Sequence, residues 1–125
     1  MPDKTILVAE DNQLIRMMVQ TALRPLQCRV IEAVDGGEAL ELIKSEEPDL
    51  VLLDITMPEL DGFGVLEELC IIETGGPCPI VMLTSAAGER DMDRAKALGA
   101  RDHIVKPFEP AELRNTVARL LGVHP

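Results

Sequence analysis

A parallel sheet wound on both faces by helices, an α/β fold, follows from three observations on the sequence. Five short apolar runs alternate with five segments whose apolar residues recur at helical spacing. The stronger runs are almost continuously apolar, as in strands covered on both faces. The central run, Leu50-Val51-Leu52-Leu53, ends abruptly on Asp54, and the Pro58, Asp61-Gly62 stretch after it signals a loop.

Taken in order, Thr5 to Ala9 is a β-rich run that stops at Glu10-Asp11-Asn12, a polar cluster able to cap a helix. Ile15, Met18, Val19, Ala22, Leu23 and Leu26 then repeat at helical spacing until Pro25 restricts Arg24 and marks the end. The methionines of this segment read as part of a core stripe. Cys28 to Ala33 is a shorter, more polar strand suited to a sheet edge. Asp35-Gly36-Gly37 is a turn, and Glu38 to Glu46 a helix with Ala39, Leu40 and Ile43 on one face, closed by Pro48.

Asp49 leads into the central strand. Phe63, Leu66, Leu69 and Ile72 mark a third helix, which Gly75-Gly76-Pro77 terminates. Pro79 opens a fourth strand, Ile80 to Thr84, again nearly all apolar. Glu89 to Leu98 is a helix closed by Gly99, with Met92, Ala95 and Leu98 as a thin apolar face. Asp102 to Val105 is the fifth strand, Lys106-Pro107-Phe108 follows at once, and Pro110 opens a last helix with Leu113, Val117, Leu120 and Leu121 inward.

No linker or repeat interrupts this alternation, so residues 1–125 are expected to form one domain. With 22 acidic against 12 basic residues the formal net charge is −10, which argues against nucleic acid or an anionic membrane as direct partner. No apolar run reaches the length of a membrane span and no signal peptide is evident, so a cytoplasmic location is expected. Cys28, Cys70 and Cys78 lack the spacing of a ligand set and read as reduced thiols. Two Phe with no Trp or Tyr leave little for base or flavin stacking.

In an open parallel sheet, ligands sit beyond the carboxyl ends of the strands. Glu10, Asp11, Asp54, Thr84 and Lys106 all lie at such ends and should converge on one edge. Singly, an Asp or Thr there is an ordinary turn-former and a Lys-Pro a solvated bend. Together they bring three carboxylates into one small site, where the simplest relief of repulsion is a hard divalent cation with oxygen ligands, magnesium first among them. Thr84 and Lys106 suit the equatorial oxygens of a transferring phosphoryl group, which leaves Asp54 as the nucleophile that forms an acyl phosphate.

These residues carry a resemblance. Val8-Ala9-Glu10-Asp11, Asp35-Gly36-Gly37-Glu38-Ala39-Leu40, Leu53 to Gly62, Leu83-Thr84-Ser85-Ala86, and Ala97-Leu98-Gly99-Ala100 to Lys106-Pro107-Phe108 make the chain similar, nearly end to end, to the response-regulator receiver domain of two-component signalling. The resemblance implies a flavodoxin-like (βα)5 fold with strand order 2-1-3-4-5. It implies Asp54 as phosphoacceptor, Glu10 and Asp11 as the acidic pair, the Thr56 carbonyl as a backbone metal ligand, Thr84 as switch hydroxyl, Lys106 as phosphoryl-binding cation and a cis bond before Pro107. Mg²⁺ is the implied cofactor, with Mn²⁺ as the alternative ion. A histidine kinase or histidine phosphotransfer protein is the implied donor, and the face of the fourth helix, fifth strand and last helix the implied output surface. Where the family usually has Tyr or Phe, three residues before the Lys, this chain has His103.

A signalling switch that catalyses its own phosphorylation, rather than a metabolic enzyme, is therefore expected. A phosphate-independent pseudo-receiver is the alternative, although it would more naturally lack Asp54 or Lys106. A metabolite phosphatase would need an insertion to build its cap, and an electron carrier would want a phosphate-binding loop where Glu10 and Asp11 stand.

Overall fold

The computed structural model describes residues 4–69, 76–85 and 89–123. Five strands, β1 (Thr5–Ala9), β2 (Arg29–Ala33), β3 (Leu50–Asp54), β4 (Ile80–Thr84) and β5 (Asp102–Val105), form one sheet in the order β2-β1-β3-β4-β5, all pairings parallel. The described α-helices are α1 (Gln13–Leu23), α2 (Gly36–Glu46), α3 (Gly62–Leu69), α4 (Glu89–Ala97) and α5 (Pro110–Leu121). This is the doubly wound, flavodoxin-like (βα)5 arrangement. Cys70, Ile72, Gly75 and Ala86 lie outside the described residues.

Alternation along the strands divides the core into two layers, because successive side chains point to opposite faces. Ile6, Val8, Leu50, Leu52, Val81, Leu83 and Ile104 meet Val19, Ala22 and Leu23 of α1 and Leu113 and Val117 of α5. Leu7, Val51, Leu53, Ile80 and Met82 face the other way, onto Ala39 and Ile43 of α2, Phe63, Val65 and Leu66 of α3 and Ala95 of α4. Every residue of β3 and β4 is buried, whereas the edge strands β2 and β5 keep exposed positions. The continuously apolar runs are thus the inner strands.

Several boundaries differ from the sequence expectation for physical reasons. Helix α1 stops at Leu23, and Arg24–Leu26 tightens into a 3₁₀ turn containing Pro25, which has no N–H to continue the helical ladder. Strand β2 begins at Arg29 rather than Cys28. Helix α2 begins at Gly36 rather than Glu38, because the Asp35 side chain accepts from the Glu38 N–H at 2.8 Å and draws both glycines into the first turn. Glycine is required at Gly36, where a Cβ would collide with the carbonyl oxygen of Leu60. The start of α2 therefore lies directly on the loop that follows β3.

The α1 methionines are a correction. Met17 and Met18 are 57% and 39% exposed and Leu14 65%, so the buried stripe narrows to Val19, Ala22 and Leu23. Cys78 is half-buried, and burial, followed by the charge of Asp49, pushes its thiol up to about 11, away from thiolate character.

The two glycines of α2 provide a test of this packing. Gly36→Ala is expected to lower stability, while Gly37→Ala, whose new Cβ would find only Asp35 Oδ1 at 3.4 Å, should raise it by about 0.5–1 kcal/mol through helix propensity. Urea unfolding of the two variants checks the opposite signs; equal shifts would contradict the close contact with Leu60.

Candidate functional site

The parallel register delivers the polar residues to one edge. Asp54 pairs with Leu83 and Thr84 with Val105, so the last residues of β3 and β4 stand at nearly the same level. Glu10 follows Ala9 directly, its N–H donating to the Ala33 carbonyl at 3.0 Å, which extends the β1–β2 ladder by one bond. The Lys106 N–H donates to the Thr84 carbonyl at 2.6 Å, tying the residue after β5 to the end of β4. Asn12 caps α1 through Ile15 N–H at 3.1 Å, while its own N–H donates to Glu10 Oε2 at 3.1 Å. The turn carrying the acidic pair is thereby held at both ends.

Within this edge, Glu10, Asp54 and Thr84 are buried polar residues, while Asp11 and Thr56 are exposed. One carboxylate oxygen from each of Glu10, Asp11 and Asp54 lies within 4.8 Å of the others. Lys106 Nζ donates to Glu10 Oε1 at 2.9 Å and to Asp54 Oδ1 at 3.2 Å. The Lys106 side chain is itself only 12% exposed. Burial works to lower its pKa, but the hydrogen bond to Glu10 and the charges of Asp54 and Glu10 outweigh it and hold the ammonium above its ordinary value.

Asp54 Oδ1 also accepts from the Thr56 N–H at 3.3 Å, and the loop is folded back by Gly62 N–H to the Ile55 carbonyl at 2.8 Å. Gly62 is needed there because a Cβ would lie 2.6 Å from the Asp54 carbonyl oxygen. The Lys106-Pro107 bond is cis. Thr84 Oγ1 is buried with no hydrogen-bond partner among the described residues. A buried hydroxyl left unsatisfied is costly, and this one retains the capacity to donate or accept a hydrogen bond. Three convergent carboxylates supply the hard oxygen donors a divalent cation takes, so the residues present fit Mg²⁺.

All five expected residues meet at this edge. His103 does not join them: with Ile104 turned into the core, alternation places His103 on the opposite sheet face, exposed, beside a groove lined by Met92, Lys96 and Arg101. Sequence reasoning missed Arg16, whose Nη1 donates to the Glu10 carbonyl at 2.6 Å. Its signal was present, since Arg16 is the only charged residue in α1.

The sequence model of the response regulator receiver domain family matches residues 6–118. This chain belongs to that family. Among related sequences, a probable transcriptional regulator, ycf27, of Porphyridium aerugineum is 43% identical over 121 residues, covering 97% of this chain and 49% of the relative. The alkaline phosphatase synthesis transcriptional regulatory protein PhoP of Bacillus subtilis (strain 168) is 39% identical over 119 residues, with 95% and 49% covered. Among solved structures, chemotaxis protein CheY4 of Vibrio cholerae superposes with a TM-score of 0.86 at 31% identity, covering 95% of this chain and 99% of that one. A Francisella receiver domain gives 0.86 at 28%, with 96% and 98% covered.

This receiver spans about half the length of the curated relatives it matches. Those relatives are named transcriptional regulators, so the expectation that nucleic acid plays no part gains no support from them. The net charge of −10 belongs to these 125 residues and bears only on their own surface. No helix among the described residues is long and apolar enough to cross a membrane.

The lysine bridge has a pH signature. A raised folded pKa means that the contribution of Lys106 is fully present below its unfolded value, 10.5, and is lost as pH rises through the higher folded value. Lys106→Met should cost about 2 kcal/mol at neutral pH, the scale of a hydrogen bond to a charged group. It should also lack that alkaline loss, so the two stability curves converge above pH 10.5. Thermal melts across that range check this; curves that stay parallel would contradict the bridge.

Proposed function

We propose that this receiver is a phosphorylation-activated switch in which Asp54 takes a phosphoryl group from a phosphohistidine donor. The carrying observation is the buried Asp54 carboxylate at the end of β3, clustered with Glu10 and Asp11 and bonded to Lys106 Nζ. An Asp54 oxygen forms the bond to phosphorus while the P–N bond of the donor breaks, its electron pair staying on the departing imidazole nitrogen. Glu10, Asp11, Asp54 and the Thr56 carbonyl are the residues that would hold Mg²⁺, or Mn²⁺ in its place. The bound ion would offset the charge of carboxylate and phosphoryl oxygens as they approach.

Lys106 is placed to exchange a carboxylate contact for a phosphoryl oxygen, and the unpartnered Thr84 hydroxyl to donate to another. The backbone bond between Lys106 and Thr84 makes these two groups respond together, which supports signal transfer to the face of α4, β5 and α5. His103 stands exposed on β5 at the position where the family usually has an aromatic residue, and Pro107 fixes the turn behind Lys106. A histidine kinase or phosphotransfer protein would approach over α1, where Leu14, Met17 and Met18 present apolar surface. The module modifies itself and is not a metabolic enzyme. Its proposed setting is the cytoplasm.

Incubation with an acyl phosphate and Mg²⁺ should add one phosphoryl group, detected by intact-protein mass spectrometry. Asp54→Asn should abolish it, and excess chelator should suppress it; full labelling of the variant would sink the assignment. With beryllofluoride as phosphoryl mimic, amide shift changes should concentrate between residues 86 and 117. Changes confined to residues 28–43 would place the output elsewhere, and a His103→Tyr protein with the same pattern would remove His103 from the switch.

A further inference from the structure

Arg16 is the sole charge of α1, yet its side chain is only 12% exposed. Nη1 donates to the Glu10 carbonyl oxygen at 2.6 Å. On the other side, Nε stands 3.4 Å from Glu32 Oε1, close enough for an ion pair although Nε makes no hydrogen bond among the described residues. Glu32 Oε2 in turn accepts from Gln20 Nε2 at 2.6 Å. A guanidinium on α1 thus links the end of β1 to the penultimate residue of β2.

The Glu10 carbonyl belongs to the peptide plane that joins Glu10 to Asp11, and that plane is rigid. Holding its oxygen restrains the stretch of backbone from which both carboxylates leave. We propose that Arg16 is the positioning residue of the acidic pair, setting Glu10 and Asp11 in the geometry that takes a divalent cation, with Glu32 and Gln20 orienting the guanidinium. This rests on the reading of the acidic cluster as a Mg²⁺ site.

A second effect of Arg16 has the opposite sign, which makes the proposal testable. A fixed positive charge beside the site repels a cation, so if charge alone mattered, removing Arg16 would tighten Mg²⁺ binding. Loss of positioning loosens it, by about tenfold, the scale found when groups supporting metal ligands are removed. Isothermal titration of Mg²⁺ into the full chain distinguishes the two. Arg16→Gln should raise Kd about tenfold, Arg16→Lys should recover part of the loss by reaching the same carbonyl, and Glu32→Gln should give a smaller rise. The half-saturating Mg²⁺ concentration for acyl phosphate labelling should rise in parallel, while the rate at saturating Mg²⁺ changes less.

An unchanged or lower Kd in Arg16→Gln overturns the proposal. Should that variant not fold, Glu32→Gln and Gln20→Ala decide it, and wild-type Kd values in both overturn it. A wild-type protein that binds no Mg²⁺ overturns the metal reading and this proposal with it, whereas wild-type binding with indifferent variants overturns this proposal alone.

Discussion

One ammonium shared by two carboxylates governs the arrangement at the carboxyl edge of the sheet. Like charges about 4 Å apart cost on the order of 4 kcal/mol at the effective dielectric of a protein surface. That is a large share of the roughly 5–15 kcal/mol by which a domain of this size is stable. Lys106 Nζ lies within 3.2 Å of both Glu10 and Asp54 and so offsets their repulsion in the same small space. The lysine reaches them only because its backbone is bonded to Thr84, and Thr84 is level with Asp54 only because β3 and β4 are parallel and in register.

The apolar layers serve this edge. Leu52 and Leu83 on one face and Leu53 and Met82 on the other are buried, which clamps the two inner strands from both sides. Interiors packed to crystal density do not slide, so the strand ends hold their relative heights. The buried Thr84 hydroxyl without a partner is then a cost that the packing sustains. With Lys106 already bonded to Glu10 and Asp54, the Thr84 hydroxyl is the group at this edge with hydrogen-bonding capacity to spare among the described residues.

Much of this was legible in the residues. The inner strands announced themselves because a fully buried strand has no reason to alternate, and their ends did so because a charge after four apolar residues has few other uses. The α1 stripe was misjudged: helical spacing says which residues share a face, not how much of that face a neighbour covers, and Met18 is left 39% exposed. The Gly36-Gly37 pair looked like a turn because glycine is a turn former, yet the pressure on Gly36 comes from Leu60, far along the chain. Arg16 escaped for a similar reason, since a long flexible side chain can reach many acceptors and only the fold selects the Glu10 carbonyl.

The strand order has a consequence for how the chain is made. β1 is synthesised first but lies between β2 and β3, so its second edge stays open until residues 50–54 have emerged. At roughly 5–20 residues per second, that interval lasts several seconds, long compared with the collapse of a short chain. During it, Ile6, Leu7 and Val8 have β2, α1 and α2 to shelter them but no partner on the far side. Until β3 arrives, the nascent half-domain therefore keeps an unpaired strand edge where the finished sheet has its interior.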